Sequence, residues 1–226
     1  MFLKDILFPK FCLGCGYLGI YICPKCLKKL KPVEKDVCPY CNRPSFFGLT
    51  HPGCQKTSRL DGLVSIFYYD DFLKKVIKSI KYRLATDVWN DFCRIIKPES
   101  LHKISRFRSL STEFFLQPIP LHPSRLKERG FNQARLIACF FQNYTGYPLA
   151  DFLKRIRATA AQAQLKTGKN RYHNIIGAFK VTTPVQGKKI ILIDDVATTG
   201  ATIKEAARAL KQAGAKAVYA LVVARG

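Results

Sequence analysis

Apolar residues along this chain fall into short runs, and the spacing within each run predicts one structural element. Residues 64–69, Val-Ser-Ile-Phe-Tyr-Tyr, are rich in β-branched and aromatic side chains and predict a strand. The next run, 72–80, has its apolar positions at helical spacing and predicts a helix. A second strand is expected near 114–120, where Pro118 and Pro120 limit how far a hydrogen-bonded ladder can continue.

The carboxyl-terminal part of the chain has the clearest pattern. Residues 189–193 form a continuous apolar run typical of a buried strand, residues 202–213 have helical periodicity, and residues 217–223 form another strand pattern. Gly214 follows the helix as its stop signal. Strand, helix and strand in such a short stretch predict a parallel βαβ unit, which is right-handed in nearly all proteins. The fold class is therefore α/β, with a mostly parallel sheet and flanking helices.

The turn before the predicted helix is a candidate binding site. Thr202 is the predicted N-cap, with Glu205 as its capping-box partner, so residues 197–202 form a turn at a helix N-terminus, which favours a phosphate. Asp194 and Asp195 precede this turn at the carboxyl end of the strand, where open α/β sheets bind ligands. Carboxylates accept hydrogen bonds from sugar hydroxyls, so a phosphorylated sugar is the expected ligand. The alternative is a structural turn that binds nothing, because Thr, Gly and Asp are common turn residues.

The string from 190 to 202, Ile-Ile-Leu-Ile-Asp-Asp-Val-Ala-Thr-Thr-Gly-Ala-Thr, resembles the phosphoribosyl diphosphate signature of type I phosphoribosyltransferases. The resemblance implies that Asp194 and Asp195 hold the ribose 2′ and 3′ hydroxyls. It also implies a type I phosphoribosyltransferase-like sheet and Mg²⁺ bound with phosphoribosyl diphosphate. The six residues implied to cradle the 5′-phosphate are Ala197, Thr198, Thr199, Gly200, Ala201 and Thr202.

Seven of the nine cysteines precede residue 55, and the start of the chain lacks the apolar stretch of an export signal, so reduced thiols in the cytoplasm are expected. Cys12 and Cys15 form one C-x2-C pair, and Cys23 and Cys26 form another. Four thiolates at this spacing can surround one Zn²⁺ tetrahedrally. Buried free cysteines or a redox pair are the alternatives.

A second cysteine set is incomplete. Cys38 and Cys41 form a pair, but only Cys54 follows, since Thr57 stands where a partner pair would close. His51 could supply the missing ligand, the site could be empty, or these cysteines could interleave with the first set. The fall in cysteine density predicts a boundary between a zinc-finger-like module at 1–59 and a second domain at 60–226, which the resemblance of residues 190–202 implies is phosphoribosyltransferase-like.

The chain is strongly basic. Its 38 Lys and Arg against 15 Asp and Glu give a formal charge of +23, which favours a polyanionic partner, although a solvated basic surface is the alternative. No apolar run reaches the ~18–20 residues that cross a bilayer, so membrane contact is expected to be peripheral at most. Lys81 and Arg129 are candidate cations for a diphosphate arm. Further candidates are Arg83, Arg125, Lys166, Lys169 and Arg171.

Residues 118–133, Pro-Ile-Pro-Leu-His-Pro-Ser-Arg-Leu-Lys-Glu-Arg-Gly-Phe-Asn-Gln, resemble the Pro-x-Pro and Arg-Gly-Phe-Asn-Gln segments of the ComF (competence protein F) family. That family joins cysteine pairs to a phosphoribosyltransferase-like domain, and the resemblance covers nearly the whole chain. It implies a role in handling incoming single-stranded DNA during natural transformation, the DNA uptake of competent cells.

Three functions follow as hypotheses. The first is a phosphoribosyl diphosphate-binding protein that also binds single-stranded DNA. Basic residues would follow the phosphates, and nearby aromatic rings would stack on the bases, although these aromatics could equally belong to the core. The aromatic residues are Phe107, Phe131, Tyr144 and Tyr172. The second is a metabolic phosphoribosyltransferase of a base or amine acceptor, for which the sequence identifies no acceptor-binding residue or general base. The third is a structural adaptor that docks to a partner such as a DNA-translocating ATPase.

Overall fold

The computed structural model describes residues 9–81, 85–95, 104, 107, 110, 113–158 and 174–226. Arg83, Lys166, Lys169, Arg171 and Tyr172 lie outside the described residues. The helices are α1 Pro24–Leu27, α2 Asp71–Ile80, α3 Ala85–Ile95, α4 Pro123–Arg129, α5 Gln133–Thr145 and α6 Ala201–Gln212. The strands are β1 Gly62–Tyr68, β2 Phe114–Pro118, β3 Leu153–Arg155, β4 Phe179–Val181, β5 Lys189–Ala197 and β6 Ala217–Arg225.

Four strands form a parallel sheet in the order β1-β6-β5-β2, which confirms the predicted α/β class and the parallel β5-α6-β6 unit. β5 lies inside the sheet, hydrogen-bonded to β2 on one side and to β6 on the other. Because all four strands run the same way, their carboxyl ends meet at one edge. β3 and β4 form a separate antiparallel pair.

Both faces of β5 are buried, which explains its continuous apolar sequence. Successive side chains of a strand point to opposite faces. Ile191 and Ile193 belong to a core that contains apolar residues of α2, α3 and α5, whereas Ile190 and Leu192 belong to a second core that contains those of α6. The sheet is thus covered by helices on both faces, the arrangement typical of parallel sheets.

The predicted capping box at the start of α6 is wrong. The helix begins at Ala201, and its N-cap is Gly200, with a φ of 68° in the left-handed region that glycine tolerates. The Glu205 carboxylate does not cap the helix, because it accepts hydrogen bonds from the Gly177 backbone N–H, at 2.7 Å, and from Arg208. Because the N-cap is glycine, it offers no side-chain hydrogen bond to the first turn of α6. Gly214 follows the end of α6 as predicted.

The cysteine-rich segment packs directly on the sheet. The Phe47 ring joins the core, with its centroid 6.0 Å from that of Phe107. Asp91 in α3 accepts a hydrogen bond from the Tyr21 backbone N–H at 2.9 Å. Gly48 has a φ of 65° and approaches β1 so closely that a Cβ there would lie 2.0 Å from the Leu63 carbonyl oxygen. None of the helices in the described ranges is long and apolar enough to cross a membrane.

We expect Gly48→Ala to lower the free energy of unfolding by about 2–4 kcal/mol, because it combines left-handed backbone strain with a clash against β1. Gly53→Ala is the matched control: no heavy atom lies within 4 Å of its added Cβ, and its loss should stay near 0.5 kcal/mol. Urea unfolding of the zinc-loaded proteins measures both. Equal losses would contradict the close packing of this segment on β1.

Candidate functional site

The two aspartates lie near the carboxyl end of β5 and are buried, with 8% of Asp194 and 6% of Asp195 exposed. The alternation of β5 places Asp195 on the face of α2 and Asp194 on the face of α6. Lys81, the C-cap of α2, forms an ion pair with Asp195 through its Nζ. A residue predicted to bind diphosphate therefore compensates the charge of one of the two predicted ribose-binding carboxylates.

The environments of the two carboxyl groups move their pKa values in opposite directions. Burial, followed by the neighbouring charge of Asp195, raises the pKa of Asp194 well above its usual range. Burial would also raise the pKa of Asp195, but the Lys81 ammonium and the hydrogen bond with Asp194 outweigh it and lower that pKa. The Asp195 backbone N–H donates to Asp194 Oδ1 at 2.9 Å. The pair therefore combines a carboxyl group whose protonated form is favoured with one whose ionised form is favoured.

The loop after β5 has the shape of an anion site. Thr198 is exposed and Thr199 and Gly200 are half-buried, so solvent reaches the loop at the carboxyl edge of the sheet. The Thr199 hydroxyl accepts a hydrogen bond from the Ala201 N–H at 3.4 Å, and the Ala197 carbonyl accepts one from Gly226 at 3.2 Å. The first turn of α6, which directs backbone N–H groups toward its N-terminus, has no side-chain cap at Gly200. A phosphate is the kind of ligand that such a turn binds.

The second predicted diphosphate cation has a different contact. The Arg129 guanidinium donates to Gln133 Oε1, which links the end of α4 to the start of α5. Sequence reasoning missed Arg155 in β3, which is only 7% exposed and stacks 5.7 Å from the Phe179 ring centroid. Burial lowers the pKa of Arg155, neighbouring Arg125 lowers it further, and Asp194 acts in the opposite direction. Nothing in the local sequence distinguishes this arginine from those beside it.

The first cysteine cluster has the geometry of a zinc site. The Sγ atoms of Cys12, Cys15, Cys23 and Cys26 all lie within 4.8 Å of one another, and those of Cys15 and Cys23 are 3.6 Å apart. Tetrahedral zinc with Zn–S bonds of about 2.3 Å requires sulfur separations of ~3.8 Å. Backbone N–H groups donate to two of the sulfurs, as thiolate ligands require. A Cβ on Gly14 would lie 2.6 Å from the Cys26 Sγ, so only glycine fits beside this cluster.

The second cluster is completed by His51, one of the three alternatives that the sequence leaves open. The ligand atoms of Cys38, Cys41, His51 and Cys54 lie within 4.8 Å of one another, separate from the first cluster. His51 Nδ1 is 3.2 Å from the Cys41 Sγ, and its Nε2 is 3.1 Å from the Pro44 carbonyl oxygen. Because a carbonyl can only accept, Nε2 carries the proton and Nδ1 is left to bind a metal.

Comparisons with known proteins match both parts of the chain. Residues 3–58 match the double zinc ribbon domain, and residues 128–226 match the phosphoribosyl transferase domain. The competence protein ComFC of Bacillus subtilis is 32% identical over 85% of this chain and 79% of its own length. The DNA utilization protein YhgH of Escherichia coli K12 is 30% identical over 94% of this chain and 93% of its own. Competence protein F of Haemophilus influenzae is 26% identical over 90% of each chain.

The raised pKa of Asp194 predicts a pH effect on stability. The folded chain retains this proton above the ordinary aspartate pKa of about 3.9, whereas the unfolded chain releases it. Stability therefore falls as pH rises from that value toward the folded pKa, by about 1.4 kcal/mol per pH unit for one linked proton. Asparagine resembles the protonated acid and does not titrate, so the stability of Asp194→Asn should not fall in this way. The stability of the variant relative to wild type should therefore increase with pH.

Urea unfolding between about pH 5 and about pH 8 measures the difference between Asp194→Asn and wild type. Asp151→Asn is the control, because that carboxylate is exposed and its difference from wild type should stay nearly constant. A difference for Asp194→Asn that does not change with pH would contradict a proton held at this position.

The His51 ligand predicts a zinc count. The wild-type chain should hold two zinc ions, and His51→Ala should lose one of them when challenged with a moderate chelator, because three cysteines alone bind zinc more weakly. His122→Ala should retain both, since His122 caps α4 and belongs to neither cysteine cluster. Native mass spectrometry counts the bound ions. Retention of two zinc ions by His51→Ala under the same challenge would exclude His51 as a ligand.

Proposed function

The chain belongs to the ComF family, and we propose that it binds phosphoribosyl diphosphate and single-stranded DNA to handle DNA taken up in natural transformation. Its relatives include the competence proteins ComFC and F and the DNA utilization protein YhgH. Binding of phosphoribosyl diphosphate is proposed from one observation, the buried Asp194–Asp195 pair followed by a short turn into α6, where the N-cap Gly200 has no side chain. The proposed DNA binding rests on the names of the relatives, which are competence and DNA utilization proteins.

The Asp pair and the loop are complementary to two parts of one ligand. A ribose ring carries two neighbouring hydroxyls, each of which can donate and accept a hydrogen bond. Asp195 offers a carboxylate stabilised by Lys81, and Asp194 adds a second carboxyl group whose raised pKa favours the form that can donate as well as accept. Residues 197–202 would then hold the 5′-phosphate with backbone N–H groups and threonine hydroxyls. A sugar phosphate therefore satisfies both halves of the site at once.

Magnesium is expected to enter this site together with the diphosphate. The Asp195 carboxylate already has the Lys81 ammonium as its counter-ion, and burial disfavours the charged form of Asp194, so the pair is a poor site for a free cation. Diphosphate oxygens are ligands that Mg²⁺ prefers. The ion would neutralise the diphosphate, with Lys81 and Arg155 as the nearby cationic side chains.

The first zinc ribbon supports the proposed contact with single-stranded DNA. Residues 9–33 contain five lysines and no acidic residue. Two aromatic side chains beside them are exposed, Phe11 at 52% and Tyr17 at 66%. Lysines that follow a phosphate backbone next to aromatic rings that stack on bases are the usual elements of a single-strand site. Phe107, predicted as a stacking residue, is completely buried in the core and cannot serve this purpose.

Asp195→Asn tests the sugar-phosphate site, because it removes the ionised acceptor and leaves Lys81 without its counter-ion. We expect it to weaken phosphoribosyl diphosphate binding by at least tenfold, the loss that corresponds to one charged hydrogen bond. Calorimetric titration with Mg²⁺ present measures the affinity, and Asp151→Asn, at an exposed carboxylate, should bind like wild type. Equal affinity of both variants would place the ligand elsewhere.

Salt dependence tests the single-strand site. The affinity for a short oligonucleotide should fall with salt, with a logarithmic slope of about −0.7 for each phosphate neutralised. Replacing Lys28 and Lys29 in the first ribbon with glutamine should reduce that slope, whereas Asp195→Asn should leave it unchanged. A flat response in the wild-type protein would exclude DNA as the polyanionic partner. Release of diphosphate on addition of a base or amine would instead favour the metabolic transferase.

A further inference from the structure

One side chain connects the second zinc cluster to the phosphate loop. Lys204 lies at the end of the first turn of α6, and its Nζ donates a hydrogen bond to the Thr199 carbonyl oxygen at 3.2 Å. The same Nζ lies 5.0 Å from the centroid of the Tyr40 ring, within the range of a cation–π interaction. Tyr40 stands in the sequence between Cys38 and Cys41, two ligands of the second cluster. The loop and the ribbon therefore share the Lys204 ammonium.

The positive charge of Lys204 lies in an unfavourable position and depends on these two contacts for its stability. The positive end of the helix dipole disfavours a cation near the start of α6. Burial also disfavours the charged form and lowers the pKa of Lys204, while Cys38 acts against this shift and Arg59 adds to it. The face of the Tyr40 ring and the Thr199 carbonyl are both electron-rich partners that stabilise the ammonium in this position. Without the ring, the ammonium would be more stable in solvent than beside the loop.

The Tyr40 ring is held by groups that belong to the second ribbon and the segment after it. Its hydroxyl accepts a hydrogen bond from the Leu60 backbone N–H at 2.9 Å. The Arg59 guanidinium carbon lies 4.5 Å from the ring centroid, and Arg59 Nη1 donates to the carbonyl oxygen of Cys54, a ligand of the same cluster. The position of the ring thus depends on the fold that the second cluster imposes.

We propose that Tyr40 and Lys204 are positioning residues for the phosphate loop, so that the second zinc ribbon sets the affinity of the loop for a sugar phosphate. Zinc at the second cluster fixes the Tyr40 ring, the ring fixes the Lys204 ammonium, and the ammonium holds the Thr199 carbonyl in the turn before Gly200. This inference rests on the proposed sugar-phosphate site and adds a means by which the ribbon controls it.

Ribose 5-phosphate is the appropriate probe, because in the proposed site it would contact only the Asp pair and the loop. Tyr40→Leu removes the ring, and we expect ribose 5-phosphate to bind roughly 3- to 10-fold more weakly, the range of one cation–π contact. Tyr40→Phe retains the ring face and should bind within about twofold of wild type. Tyr17→Leu removes an exposed tyrosine from the first ribbon and is the matched control, with no expected change.

Lys204→Met tests the same connection from the side of the loop, at a residue that is not a zinc ligand. It should weaken binding by a similar factor, and adding Tyr40→Leu to it should cause little further loss, because both changes break one chain of contacts. Zinc counted by native mass spectrometry should stay at two ions in each variant. Independent, multiplying losses in the double variant, or full affinity in Tyr40→Leu, would overturn the proposal.

Amide hydrogen exchange gives a readout that does not depend on the ligand. Peptides that cover residues 197–203 should exchange faster in Tyr40→Leu and Lys204→Met than in wild type, and at the wild-type rate in Tyr40→Phe. If wild type failed to bind ribose 5-phosphate, the proposed sugar-phosphate site would be wrong, yet this exchange would still decide whether Tyr40 positions the loop. Unchanged exchange in both variants would refute that role.

Discussion

The burial of β5 between two parallel neighbours is the constraint on which the rest of this molecule depends. With β2 on one side, β6 on the other and helices over both faces, β5 tolerates apolar side chains only, until it reaches the carboxyl edge of the sheet. Asp194 and Asp195 stand at that limit. There the alternation of the strand separates them onto two faces and gives them different neighbours, and the Lys81 ammonium forms its ion pair with Asp195.

The same edge explains why two acidic groups can coexist in a buried position. Two ionised carboxylates side by side would repel each other, and burial would make that repulsion costly. The site avoids this conflict because the pKa of one group rises while Lys81 stabilises the ionised form of the other. The result is two adjacent carboxyl groups, one with its protonated form favoured and one with its ionised form favoured, next to a turn whose N–H groups favour an anion. In our proposal, these three properties together bind a ribose phosphate.

Much of the fold and of the candidate site could be predicted from the sequence, because these features depend on local periodicity and spacing. The apolar run of β5, the Asp pair and the cysteine pairs are each visible within a few residues. The capping box at Thr202 was wrongly predicted because Glu205 has partners, Gly177 and Arg208, whose approach depends on tertiary structure. His51 remained one alternative among three for the same reason. Arg155, Tyr40 and Lys204 could not be identified, since their significance comes from contacts between segments far apart in the chain.

A crystal structure of the zinc-loaded protein with ribose 5-phosphate would show whether the carboxyl edge of β5 is a ribose phosphate site, as we propose. We expect the phosphate within hydrogen-bond distance of backbone N–H groups in residues 197–202, and the 2′ and 3′ hydroxyls against Asp194 and Asp195. A ribose 5-phosphate bound on the lysine-rich first ribbon, with the loop and the Asp pair unoccupied in the same crystal, would contradict this proposal.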